Sequence, residues 1–340
     1  METTAAAGRE RSPVGPRDPK VVAIGGGTGL SVMLRGLKKL PLDLTAIVTV
    51  ADDGGSSGRL RAELDMPPPG DVRNVITALA TAEPLLSRLL EHRFQNGTGL
   101  AGHSLGNLIL AALKEITGDF VSGVRELSRV LAVKGRVLPA SGQAIVLGAE
   151  LEDGRIVTGE SRIPNAGGRI RRVFIEPADA APLDEAVEAI LQADAVVVGP
   201  GSLYTSIMPN LLVPRIAESI ARSRAVKIFV CNVMTQPGET DGYSAGDHLK
   251  AVAAHVGGRL FDWVIVNIGD IPDDVAERYA AQGAQAVRPD VGELERLGYR
   301  VVADDLILPG TYLRHDATKL ALHILRLVGR HVGPQGPVEE

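Results

Sequence analysis

The sequence predicts an α/β fold: a mostly parallel sheet with helices on both faces and a small antiparallel extension. Three observations predict it. Short Val- and Ile-rich runs end in glycine loops, as buried parallel strands do. Segments with apolar residues at helical spacing lie between them. Near the middle, between Arg136 and Pro177, the texture changes to short alternating runs.

The elements follow in order. Lys20-Val21-Val22-Ala23-Ile24 is the first strand, stopped by glycine. Residues 30–40 carry apolar side chains at helical spacing and stop at Pro41, and 44–51 is a second β-rich run. Strand, glycine loop, helix and strand make a βαβ unit, whose crossover should be right-handed. Helical patterns continue at 72–82, 85–92, 105–117 and 121–131. Arg136-Val137-Leu138, Ala144-Ile145-Val146-Leu147, Arg155-Ile156-Val157 and the run 170–175 are short and alternating, with Asp153-Gly154 as a hairpin signal. Residues 136–177 are therefore expected as an antiparallel insertion or an extension at the sheet edge. Helix resumes at 183–192 and buried strand at Ala195-Val196-Val197-Val198. Further strands are expected at 226–233 and 263–267, and further helices at 245–255, 275–282 and 316–328. Residues 20–330 read as one domain. Residues 1–19 read as a polar, Pro-rich disordered tail, and 331–340 as a frayed one.

Composition narrows the function. The chain has 340 residues and a formal net charge of -5, whereas a general nucleic-acid binder needs a basic surface. No run of apolar residues is long enough to span a membrane. The first twenty residues lack the apolar core of a secretory signal, so a cytoplasmic location is expected. The single cysteine, Cys231, excludes an intrachain disulfide and a Cys-based zinc cluster. It lies in an apolar run and reads as a buried strand residue.

Five glycine- and asparagine-rich segments carry the functional signal. In a parallel sheet, ligands bind at the carboxyl ends of strands, where such loops converge. Gly25-Gly26-Gly27-Thr28-Gly29 follows the first strand and precedes a helix, a setting in which backbone NH groups hold phosphate. A dinucleotide fingerprint starting at Gly25 would need glycine at position 30, which is Leu30, although Asp52 sits where a ribose-binding acid would. No Gly-Lys-Ser/Thr closes the segment, so it is not a Walker loop. Asp52-Asp53, next to Gly54-Gly55-Ser56-Ser57-Gly58-Arg59, is a carboxylate pair that suits Mg²⁺. The alternative is a capped helix start with a solvated acid. Arg59, and Arg73 with Asn74 in Gly70-Asp71-Val72-Arg73-Asn74, could hold phosphate in bidentate fashion. In Gly102-His103-Ser104-Leu105-Gly106-Asn107, His103 is a candidate acid, base or phosphate donor. Ser104 is a helix cap, and Asn107 could face a base or sugar. Gly199, Gly201 and Ser202, in Gly199-Pro200-Gly201-Ser202-Leu203-Tyr204-Thr205-Ser206, make a second anion cradle. Asn232, Thr235 and Gln236 lie in the run from Asn232 to Asp241, which ends near Tyr243, a candidate stacking platform for a base.

Taken together and in order, these segments resemble the YvcK-like gluconeogenesis factor family, which is related to 2-phospho-L-lactate transferase (CofD). The resemblance runs from about Lys20 to about Arg330. It implies a Rossmann-like core, a cytoplasmic location and binding of a nucleotide sugar, notably UDP-N-acetylglucosamine. It implies a role in cell-shape and cell-wall homeostasis during gluconeogenic growth, acting on a cell-wall or morphogenesis protein, and no firmly attached reaction. By match to the related transferase, Asp52 and Asp53 lie near Mg²⁺, and the transferase moves a phospholactate-type group. By match to the YvcK-like branch, Tyr243 contributes to UDP-sugar binding. Three readings stay open: a UDP-sugar-binding regulator without turnover, a Mg²⁺-dependent transferase, and an NAD(P)-binding protein. A homo-oligomer is compatible with each.

Overall fold

The computed structural model describes residues 17–81, 83–308 and 313–332. Of the tails expected at 1–19 and 331–340, residues 1–16 and 333–340 lie outside the described residues, and 331–332 continue the last helix instead of fraying. The chain runs β1 (Lys20–Gly25), α1 (Gly27–Leu37), β2 (Asp43–Val48), α2 (Gly55–Leu64), α3 (Gly70–Leu79), α4 (Pro84–Glu91), α5 (Leu105–Thr117), α6 (Phe120–Val130) and β3 (Arg136–Pro139). Next come β4 (Val146–Leu151), β5 (Ile156–Thr158), β6 (Ile170–Glu176), α7 (Asp184–Gln192) and β7 (Ala195–Val198). A π-helical turn (Leu203–Ile207) leads into α8 (Met208–Leu212), then α9 (Ile216–Arg222), β8 (Val226–Val230), α10 (Ala245–Val256) and β9 (Trp263–Asn267). The described chain closes with α11 (Asp273–Ala280), α12 (Val291–Arg296), β10 (Arg300–Asp304), β11 (Ile307–Leu308), β12 (Arg314–His315) and α13 (Ala317–Val332).

Seven strands form one parallel sheet in the order β10-β9-β8-β7-β1-β2-β3, with helices around it. From β1 the chain first builds outward to β2 and β3. It then returns to β7, on the other side of β1, and builds outward to β10. The sheet therefore has a topological switch point between β1 and β7. Both strands there are fully aliphatic and buried, Val21-Val22-Ala23-Ile24 against Ala195 to Val198. Two-sided burial explains why they show no alternation in sequence.

Helix α1 buries Leu30, Met33, Leu34 and Leu37, one face at helical spacing. It packs against α3 and α13. The approach of α13 is so close that a Cβ on Gly36 would lie 2.0 Å from the Ala317 carbonyl oxygen. Ser104 caps α5 by accepting from the Asn107 NH, and Ser244 and Asp247 form a capping box on α10.

The middle of the chain divides at a different point from the one its texture suggests. Residues 136–139 pair in parallel with β2 and form the edge of the main sheet. The antiparallel unit is a three-stranded sheet, β5-β4-β6, spanning 146–176. With only four residues, three of them buried in a row, β3 does not carry its direction in its pattern. Helix α2 follows directly on Asp52-Asp53 within a glycine-rich run, where low helix propensity hides it. Among the described residues no helix is long and apolar enough to cross a membrane.

Candidate functional site

A cavity of about 510 Å³ opens at the carboxyl ends of β1 and β7, at the switch point. One wall is the glycine loop, with Gly26, Gly27, Thr28 and Gly29 lining it. Gly26 precedes α1 in an extended conformation and offers no side-chain cap. Asp71 takes the Gly27 NH, so in this eleven-residue helix the free first-turn NH groups on the cavity side begin with Thr28 and Gly29. A Cβ on Gly29 would sit 2.6 Å from the Pro200 carbonyl oxygen, so glycine there lets the two loops touch.

The second wall is the loop after β7, with Gly201, Ser202 and Ser206. It is held from below by side chains after β8. Asn232 clamps Gly201, accepting its NH at 3.0 Å and donating to its carbonyl at 2.7 Å. The Ser202 hydroxyl donates to Gln236 Oε1 at 2.5 Å. Buried Glu239 accepts from the Tyr204 NH and the Thr205 hydroxyl, and burial pushes its carboxyl up to about 7. Asn210 donates to the carbonyls of Gly25 at 3.1 Å and Ser206 at 2.8 Å, joining the two walls. The π-helical turn at Leu203–Ile207 sits in this wall, where such turns often mark functional sites.

The third wall arrives from far along the chain: Tyr279 on α11, with Arg314 and His315 of β12. The Leu313 NH donates to the Tyr279 hydroxyl at 3.0 Å, which ties α11 to β12. His315 is only 7% exposed, and burial pulls its imidazole down to about 4. It is therefore neutral near pH 7. Its Nε2 is buried and has no partner among the described residues. Nothing local in the sequence marks Tyr279 or His315. The only hints are the scarcity of tyrosine and the Arg-His pair just before a helix.

A second polar group lies beside the glycine loop. Asp71, at the start of α3, accepts from the Gly27 NH and is pushed up to about 7 by burial and then by the charge of Asp52. Glu160, from the loop after β5, rises to about 8 through burial and the charges of Asp52, Asp71, Glu239 and Asp53. Asp52 and Asp53 point to different neighbours. Asp52 Oδ1 accepts the Gly54 NH at 2.9 Å, and Asp53 Oδ1 accepts the Ser161 NH at 2.8 Å across to the antiparallel unit. Next to them His103 Nδ1 meets Ser56 Oγ at 3.0 Å, and Asn107 Nδ2 donates to Ser56 Oγ at 3.2 Å and Ser57 Oγ at 3.5 Å. Burial, then the Arg59 guanidinium, holds His103 below its ordinary value. Arg73 donates to Asn74 Oδ1 at 2.6 Å, while its Nε and Asn107 Oδ1 are buried without partners among the described residues.

Among the described residues no three His, Cys, Asp or Glu side chains are arranged to hold a metal ion. Mg²⁺ needs fewer, since one or two carboxylates serve when substrate phosphates and water complete its shell. Asp52 and Asp71 fit that donor set by charge, since after burial it is the charge of Asp52 that raises Asp71. Asp53 has one oxygen on the Ser161 NH, as Asp52 has one on the Gly54 NH.

The remaining expected residues fall outside this cavity. Arg59 donates to the carbonyls of Ala101 and Gly99 and braces the loop before α5. Thr235 is buried and pairs with the Gln285 backbone. Tyr243 lines a separate groove beside α10, its hydroxyl 2.9 Å from that of Tyr204. Cys231 is fully buried with its thiol pushed up to about 12, an inert strand-end residue.

Known proteins with this sequence pattern share the architecture. The family model of 2-phospho-L-lactate transferase CofD matches residues 21–307. The gluconeogenesis factor of Halalkalibacterium halodurans is 58% identical over 90% of this chain and 95% of its own. The gluconeogenesis factor of Bacillus subtilis is 54% identical over 91% of this chain and 98% of its own. A crystal structure of a member of the UPF0052 family from Bacillus halodurans superposes with a TM-score of 0.89 at 57% identity, covering 92% of this chain and all of that one. With the switch-point site, the Rossmann-like sheet and these relatives in agreement, the chain belongs to the CofD family and, within it, to the group of gluconeogenesis factors.

Proposed function

We propose that this chain binds a nucleotide sugar of the UDP-N-acetylglucosamine class in the switch-point cavity. It would act without turnover, as a cytoplasmic regulator of cell shape and cell-wall homeostasis during gluconeogenic growth. Its output would pass to a partner protein of the wall-building or morphogenesis machinery. The carrying observation is the convergence of three chemistries on one cavity. The glycine-rich start of α1 and Arg314 suit a pyrophosphate, the Tyr279 ring suits a base, and neutral His315 suits a polar group of base or sugar. A volume of about 510 Å³ lies within the range of small-molecule sites. The test is calorimetry with UDP-N-acetylglucosamine, with and without Mg²⁺, followed by chromatography of the recovered ligand. Saturable binding with the ligand intact, lost in Arg314→Gln at unchanged melting temperature, is the expected result. No heat at millimolar ligand would overturn it.

A second reading, a Mg²⁺-dependent transferase of the CofD type, draws on one observation. Asp71 and Glu160 have carboxyls near neutrality beside Asp52, the range in which a carboxyl exchanges protons with substrate. Bound Mg²⁺ would supply charge neutralisation at phosphate there. Release of UMP or UDP in the same experiment, lost in Asp71→Asn, favours this reading over the regulator.

A further inference from the structure

A second cavity, of about 710 Å³, lies at the amino-terminal ends of β8, β9 and β10, the opposite edge of the sheet from the switch point. Arg259, Arg300, Arg330 and His331 line it, and its one acid, Asp262, accepts the Lys227 NH at 3.0 Å. Three guanidinium groups thus face one cavity on a chain whose net charge is -5. None of the three makes an ion pair among the described residues, although most of the other charged contacts here are Arg–carboxylate pairs. Two are held in place by rings. Arg259 lies 5.8 Å from the Tyr299 centroid and donates to the Gly298 carbonyl, and Arg300 lies 5.5 Å from the Trp263 centroid. Cations in the last turn of a helix are ordinary, which accounts for Arg330 and His331. That does not account for Arg259 and Arg300, which come from the loop before β9 and the start of β10.

We propose that this cavity is a second ligand site, for a small molecule carrying two or more phosphate groups. Fixed, unpaired guanidiniums offer paired donors that match phosphate oxygens. One phosphate can engage only part of the set, so a diphosphate should bind more tightly than a monophosphate. The site shares one element with the switch-point cavity: α13 begins two residues after His315 and ends at Arg330 and His331.

Trp263 is the only tryptophan in the chain, so its emission reports this site alone. The experiment titrates the full chain at low salt with inorganic pyrophosphate and, separately, with inorganic phosphate, following Trp263 emission and heat in parallel. The expected result is a saturable response to pyrophosphate at submillimolar concentration, at least about tenfold weaker for phosphate. Arg300→Gln and Arg330→Gln, each melting like the wild type, should each weaken pyrophosphate about tenfold. Gly27→Val should leave the emission response intact, since the glycine loop is at the other edge of the sheet. Three outcomes overturn the proposal: neither heat nor emission change at millimolar pyrophosphate, equal affinity for phosphate and pyrophosphate, or a response lost in Gly27→Val and retained in Arg300→Gln with Arg330→Gln.

Discussion

Glu160 is the side chain most at odds with its surroundings. Its carboxyl is held at about 8 against an ordinary 4.5 by burial and four acidic neighbours. In the unfolded chain it ionises near 4.5, so between about 4.5 and 8 the folded state binds the extra proton and stability falls as pH rises. Glu160→Gln removes that loss. The variant should melt like the wild type at pH 4 and about 2 °C or more above it at pH 8, as read by calorimetry; an equal shift at both pH values would show that the charge is not the cause. The aromatic side chain of the cavity makes a second prediction. Tyr279→Ala should weaken UDP-N-acetylglucosamine about tenfold or more if the ring stacks on the base. Tyr243→Ala, in its separate groove, should change it by less than about twofold; the reverse ranking would return the base to Tyr243. The glycine loops, Asn232 and Gln236 were legible because they follow buried strands directly, and in a parallel sheet position along the chain then becomes position in space. Tyr279, Arg314 and His315 were not, because only the tertiary path of α11 and β12 brings them to the same place.

Gly36 shows how an element sets the site. Helix α13 crosses α1 with the Ala317 carbonyl 2.0 Å from where a Gly36 Cβ would be, and Arg314 and His315 immediately precede that crossing. Gly36→Ala should push α13 off α1, costing about 1–3 kcal/mol by overpacking. It should also weaken nucleotide-sugar binding, although residue 36 is absent from the cavity wall. Denaturant unfolding and calorimetry check the two halves; lost stability with unchanged affinity would uncouple the crossing from the site. At this scale the long periodic segments read well, and α5 and β9 begin and end where their patterns do. The misses have physical causes. Glycines masked α2. β10 is a half-exposed edge strand whose charged ends, Arg300 and Asp304, dilute its apolar run. Strand direction at β3 depends on a partner 91 residues earlier.

For the whole molecule, one contiguous core joins the parallel sheet to the antiparallel unit: Leu147, Ile163 and Val173 belong to the same buried cluster as Val21 and Val197. Asp53 adds a polar tie across to Ser161. Thermal unfolding should therefore be a single cooperative transition. A two-peak thermogram would show that 146–176 melts by itself. The α/β class and the βαβ start were readable from the sequence. The switch point was not, because it depends on β7 pairing with β1 174 residues earlier, and periodicity carries no information about that return.

The cavity's first wall follows β1, and the last part of its third wall, Arg314 and His315, follows β11, so the two are separated by almost the whole described chain. During synthesis the glycine loop emerges early and waits, and the pocket closes only when Arg314 and His315 arrive. A ligand bound there would fasten the first crossover of the sheet to the last described helix. Occupancy would then report more than ligand concentration: it would mark a copy folded from β1 to α13.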